Sequence, residues 1–254
     1  MNVTYWLERM TDPDDEVRAE ASEELNEGMD DDVVAGLLLI VANHEDEEVR
    51  ADAIIALGPI VEMAGMEYDD EVDFDFDEEL GPGITRETYL LLIDRLRAIY
   101  DDASLPKLVR RRAFEVLVRD PRGWQAVEVR KYFAADDAEW KLSAVFAMGH
   151  IAGFEKDLAA LVRSAEGLML VEAVRSAGAQ GVTAAGKRIA DVAMDERADL
   201  YLRLVAIAAL SNVHKNSTEI LEELTLSGNE EIVEAAEAAL EEVSLDEDWD
   251  GDDD

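Results

Sequence analysis

The stretch Asp46-Glu47-Glu48-Val49-Arg50-Ala51-Asp52-Ala53-Ile54-Ile55-Ala56-Leu57-Gly58 decides the fold. Its apolar positions Val49, Ala53, Ala56 and Leu57 fall on one face at helical spacing. Gly58-Pro59 follows as a stop, because glycine accepts left-handed geometry and proline cannot continue the ladder. The core of this stretch, an apolar residue, often a base and then an alanine, occurs seven times along the chain. Clear copies run from Val17 to Ala21, Val49 to Ala53, Val109 to Ala113 and Trp140 to Ala144. Weaker copies run from Met169 to Ala173, Leu202 to Ala206 and Ile232 to Ala236. The closing alanines lie 32, 60, 31, 29, 33 and 30 residues apart, one gap being double. A period near 31 marks a stacked array of small units, each too small to bury its own apolar face.

Each unit reads as two helices, and the copies above are the second of each pair. The first helices are predicted at 3–10, 32–43, 85–100, 124–133, 157–164, 183–194 and 218–226. Alanine at the fixed column lets neighbouring helices approach, while a Leu or Met four residues on fills the core. An acid stands four residues before the base in four copies: Asp14 and Arg18, Asp46 and Arg50, Asp137 and Lys141, Asp199 and Arg203. That order favours ion pairs on the helix surface, and an acid at a helix start also suits the positive end of its dipole. A ladder of bases with built-in partners is expected to be structural and not a ligand stripe. With no strand signal, the expected fold is all-α: a right-handed α-solenoid of seven helical hairpins over residues 1–245.

The pattern D-x-x-V-R-x-x-A-x-x-A-L-G-x-I resembles the HEAT repeat, in particular the bacterial type of the phycobilin lyases. Residues 46–60 carry it best; 12–27, 136–151 and 197–213 carry it well, and 103–120, 165–181 and 229–243 are degenerate. The resemblance implies binding of other macromolecules along a curved surface. It also admits two alternatives: a phycobilin-lyase-like enzyme or its chaperone-type subunit, and an acidic protein that sequesters a nucleic-acid-binding partner.

Composition narrows the partner. Sixty-one acids against 23 bases give a net charge of −38, which repels nucleic acid and anionic membranes and favours basic proteins. The bases are 17 arginines to six lysines, a skew that also fits adaptation to high salt. The longest apolar run, Val33 to Ala42, has ten residues where about 20 are needed to span a bilayer. The first residues lack a secretion-signal layout, and the absence of cysteine fits a reducing compartment; the expected location is cytoplasmic. The oligomeric state stays open, a monomer being the default.

Three departures from the period stand out. An insertion at 64–83 is strongly acidic, with eight acids in the eleven residues from Asp69 to Glu79. Within it Asp73, Phe74, Asp75, Phe76 and Asp77 alternate charge with aromatic rings, which suits a solvated loop, a strap over the chain's own bases, or a dock for a basic partner. Next, 11 of the 23 bases lie between residues 84 and 131, with Arg110, Arg111 and Arg112 at their centre as candidate binding residues. A basic groove of this kind occurs in HEAT-like DNA glycosylases, but here the surroundings repel nucleic acid. Last comes an acidic tail, 246–254, in which Asp246, Asp248, Asp250 and Gly251 mimic the opening of a calcium loop without its closing acid. The tail is expected to be disordered and solvated.

No catalytic constellation is legible. His44, His150 and His214 are scattered at repeat ends, and no glycine-rich phosphate loop is followed by a lysine at the right place. The sequence therefore predicts no enzyme activity, no cofactor and no metal, and a scaffold that binds a basic protein.

Overall fold

In the computed structural model the described residues are 2–68 and 83–249. Among them are fifteen helices and no strand. They gather into two compact units, residues 1–125 and 126–254.

The first unit holds α1 (Val3–Arg9), α2 (Asp15–Asn26), α3 (Asp31–Asn43), α4 (Glu47–Ile55), α5 (Gly58–Glu67), α6 (Arg86–Asp101) and α7 (Lys107–Leu117). The second begins with α8 (Gln125–Ala134) and continues with α9 (Ala138–Met148), α10 (Glu155–Ser164), α11 (Gly167–Ala179), α12 (Thr183–Met194), α13 (Leu200–Val213), α14 (Ser217–Leu224) and α15 (Glu230–Trp249). Successive helices pack as hairpins, for example α3 on α4, α6 on α7 and α12 on α13. In α8 and α9 the Tyr132 and Trp140 rings stack 4.1 Å apart. Second helices also pack on one another, α4 on α7, α9 on α11 and α11 on α13. This is the stacked-hairpin architecture that the period predicts.

The alanine column is the reason the stacking works. Ala21, Ala53, Ala113, Ala144, Ala173, Ala206 and Ala236, one on each second helix, are all fully buried. Leu25, Leu57, Leu117, Met148 and Leu210, four residues further on, are buried as well and supply the apolar volume. A methyl group at the closest approach and a large side chain one turn later gives close packing without overfilling.

The double gap is resolved differently from expectation. Gly58-Pro59 ends α4 but does not release the chain into a loop. Proline stands in the first turn of α5, where its missing N–H costs nothing. Ile60, Val61 and Ala64 then bury one face of that extra helix against α6 and α7. The insertion predicted at 64–83 therefore begins inside a packed helix; residues 69–82 lie outside the described residues.

Both flanks of that segment are tied down. The Tyr68 hydroxyl donates to the Ile84 carbonyl at 2.6 Å. Gly83 has φ +72° and lies so close to the Met29 carbonyl that a Cβ would stand 2.3 Å from its oxygen, so only glycine fits. The Thr85 N–H donates to Asp31 at 2.9 Å. That bond, first, and the Thr88 and Thr85 hydroxyls hold the Asp31 carboxyl below the usual range against a smaller opposing effect of burial.

At the other end α15 continues to Trp249, across the boundary at 246 that composition suggested for the tail. The rest of the proposed calcium-like loop, from Asp250 on, lies outside the described residues.

Candidate functional site

In the repeats of Arg18, Arg50 and Arg203 the acid and base do separate jobs, which corrects the expected ion pairs. Asp14, Asp46, Asp137 and Asp199 are helix N-caps whose carboxylates accept backbone N–H groups of the first turn. The arginines reach back to the end of the preceding helix. Arg50 Nε donates to the Val41 carbonyl at 2.7 Å, Arg110 Nε to Tyr100 at 3.0 Å and Arg203 Nε to Ala193 at 3.1 Å. Each cation thus satisfies a carbonyl near a helix C-terminus, where the dipole also favours it. Arg18 does more: Nη1 donates to the Asp12 carbonyl at 2.8 Å and Nε to Asp52 of the next hairpin at 2.7 Å. The base ladder is structural, as expected, through partners that the sequence did not name.

The basic cluster is likewise engaged with the protein itself. Arg111 is buried, 3.6 Å from Glu115, and Arg112 meets the other oxygen of the same carboxylate at 2.6 Å. Arg119 pairs with Glu62 of α5 at 2.8 Å. Arg122 chelates Asp120 at 2.6 and 2.9 Å and donates to the Tyr89 hydroxyl, which itself donates to Asp120. Burial first, and that carboxylate second, push the Tyr89 phenol well above its usual range. Arg97 lies between Asp101 at 2.7 Å and the face of Trp124 at 3.7 Å. Of the predicted site residues, Arg110, Arg111 and Arg112 thus share one helix, Arg110 serving the Tyr100 carbonyl and the other two the Glu115 carboxylate. Asp73, Phe74, Asp75, Phe76 and Asp77 lie outside the described residues, and so does any strap or docking contact they make.

What packing brings together instead is a groove of about 490 Å³ in the first unit. Its lining includes Asp15 and Arg18 of α2, Glu48 and Asp52 of α4, and Leu108 and Arg112 of α7. Three carboxylates face two guanidinium groups, one of which, Arg18, is engaged by Asp52 of the groove and by the Asp12 carbonyl. The groove thus runs across three consecutive second helices, with Asp15 and Glu48 in the first turns of α2 and α4 and Asp52 further along α4, bonded to Arg18. Asp15, Glu48 and Asp52 were not singled out from sequence. The available signal was their register: Glu48 and Leu108 stand five residues before the buried alanine of their repeat, and Asp52 and Arg112 one before. Among the described residues no group of three or more potential ligands could hold a metal ion.

Residues 3–72 match a family model described as HEAT repeats. That segment covers α1 to α5, and the later hairpins repeat the buried alanine column of these helices. No curated protein matches the sequence. Solved structures similar to the chain include the YibA protein of Escherichia coli, 14% identical with a TM-score of 0.47 over 92% of this chain and 80% of that one. A designed armadillo repeat protein in complex with the peptide (KR)4 is 17% identical, with a TM-score of 0.37 over 96% of this chain and 100% of that one. Human deoxyhypusine hydroxylase in complex with glycerol is 13% identical, with a TM-score of 0.40 over 96% of each chain. No described helix is long and apolar enough to cross a membrane.

Proposed function

We propose that this chain is a non-enzymatic, cytoplasmic scaffold that binds a protein with a basic surface along the faces of its second helices. The carrying observation is the groove across α2, α4 and α7, where Asp15 of one hairpin meets Glu48 and Asp52 of the next. A site built by three repeats suits an extended macromolecular contact better than a small molecule, and a net charge of −38 steers basic partners toward it. Sequestering a nucleic-acid-binding protein is one form this activity takes, since such partners are themselves basic. A phycobilin-lyase-like activity rests on the resemblance alone.

The test is affinity capture from the native source at about 0.15 M salt, comparing the wild type with the double variant Asp15→Lys, Glu48→Lys. Both side chains are exposed, so the variant is expected to fold. Captured basic proteins should be lost from the variant. If the same proteins come down with both forms, the groove does not bind them.

A further inference from the structure

The two units hold cavities that differ in what their charged groups have left to offer. Between α11 and α13 a pocket of about 180 Å³, lined by Gly178 and Ala209, has Arg175 as its charged residue. Both terminal nitrogens of that guanidinium are engaged, Nη1 with Glu172 at 2.9 Å and Nη2 with the Tyr201 hydroxyl at 2.7 Å. The groove across α2, α4 and α7 is different, because it keeps unspent hydrogen-bonding capacity of both signs.

Asp15 and Glu48 are exposed in the first turns of α2 and α4, and among the described residues their carboxylates accept no hydrogen bond. Asp52, further along α4, is bonded to Arg18 at 2.7 Å. Arg112 of α7 donates Nη1 to Glu115 at 2.6 Å, while its Nε is shut away from water without an acceptor. The Arg112 side chain is still 34% exposed, so a group entering the groove can reach it. Pro13, Ala51 and Leu108 supply the apolar part of the lining. Since α4 packs on both α2 and α7, the unspent charge changes sign across the groove, from acids on α2 and α4 to a base on α7.

Each of these features selects a property of the occupant. Asp15 and Glu48 call for a lysine or arginine, whose aliphatic stem also suits Ala51 and Leu108. Arg112, short of an acceptor, calls for a carboxylate, which a guanidinium grips better than any neutral group. Packed helices lie about 8–10 Å apart, and an extended chain places residues i and i+2 on one face about 7 Å apart. A base and an acid at that spacing match the span once their side chains are counted.

We propose that this groove recognises an extended protein segment with a lysine or arginine between Asp15 and Glu48 and, two residues away, an aspartate or glutamate on Arg112. This rests on the reading that the groove binds a basic protein, and adds that the contacting segment carries an acid. The consequence runs against the net charge: a field of −38 favours the segment without the acid, and the groove favours the segment with it.

Two lysine- and arginine-rich synthetic peptides test it, one with a single aspartate two residues from a central arginine and a twin with asparagine there. Binding is followed by fluorescence anisotropy with the full chain at about 0.15 M salt. The aspartate peptide should bind about fivefold more tightly than its twin, as expected for a partly exposed ion pair, although net charge alone gives the reverse order. Arg112→Gln should erase or invert that preference; Arg111 remains 3.6 Å from Glu115, so the variant is expected to fold. Asp15→Asn combined with Glu48→Gln should weaken both peptides. Equal binding of the two peptides to the wild type, tighter binding of the asparagine twin, or a preference that survives Arg112→Gln overturns the proposal and leaves the basic-partner reading standing. If neither peptide binds, or both bind the Asp15, Glu48 double variant as well as the wild type, both readings fall.

Discussion

The second helices of the two units share their buried columns and differ at most of the positions around them. Aligned on the buried alanine, the positions five before, one before and two after are Glu48, Asp52 and Ile55 on α4, and Leu108, Arg112 and Glu115 on α7. On α11 and α13 the same positions are Leu168, Glu172 and Arg175, then Tyr201, Val205 and Ala208. The first face is mainly charged and opens as a groove near the helix starts; the second is mainly apolar and opens near the helix ends. The ends of α4 and α7 are occupied in the first unit, where Arg119 pairs with Glu62 of the extra helix α5. Architecture resides in the buried columns, and the exposed ones are free to diverge because they carry little packing.

The comparison breaks first if the buried columns are not equivalent. Ala53→Leu and Ala206→Leu each place three extra carbons at a fully buried helix contact, so each should cost about 1–3 kcal/mol in denaturant unfolding. Neutral behaviour at one site and loss at the other would show that only one unit depends on the close approach.

The arginine ladder should divide the units more finely. Arg18 is buried and bridges two hairpins through Asp52, which is partly exposed, so Arg18→Ala should cost about 2 kcal/mol, less than a fully buried ion pair. Arg203 makes one hydrogen bond to a carbonyl, and Arg203→Ala should cost about 1 kcal/mol. Equal losses would mean that the Asp52 bridge adds nothing to the carbonyl bond.

Acid should act on the tie between the first unit's turn at Asp31 and the start of α6. The Asp31 carboxyl has a folded value below its unfolded value of about 3.9, so its contribution is fully present above that pH and is lost as pH falls through the lower, folded value. The difference in thermal midpoint between wild type and Asp31→Asn should therefore be constant from neutral pH to about 5 and shrink below 4. A difference that persists undiminished at the lowest pH would show that the charge of Asp31 is not what holds Thr85.

Salt should produce the smallest and most general effect. Self-repulsion from a net charge of −38 eases with screening, so the midpoint should rise by a few degrees between about 10 mM and 1 M salt, as the Debye length falls from about 30 to 3 Å. A flat midpoint would indicate that local pairs such as Arg112–Glu115 already balance the surface in both units.

The sequence by itself determined the all-helical repeat, the places of the second helices and the alanines that would be buried. Those features follow from the 3.6-residue period and from residue volume, both local properties of the chain. It also placed the repeat acids at helix starts, where the dipole favours them, but read them as ion-pair partners and not as N-caps. Tertiary structure decided the rest. Gly58-Pro59 reads equally as a stop or as a helix start, and only the apolar surface of α6 and α7 made α5 worth forming. Arg50 and Arg203 had an acid four residues away, yet a long flexible guanidinium can also reach a carbonyl nine or ten residues back once the hairpin closes, and there it satisfies an otherwise orphaned acceptor. Both cavities depend on which side chains meet across neighbouring helices: Asp15 with Glu48 and Arg112 in one unit, Gly178 with Ala209 in the other. A period shows that helices will stack, but the shape and charge of the space between them are set by pairs of residues about 30 or more positions apart, which come together only when the chain is folded.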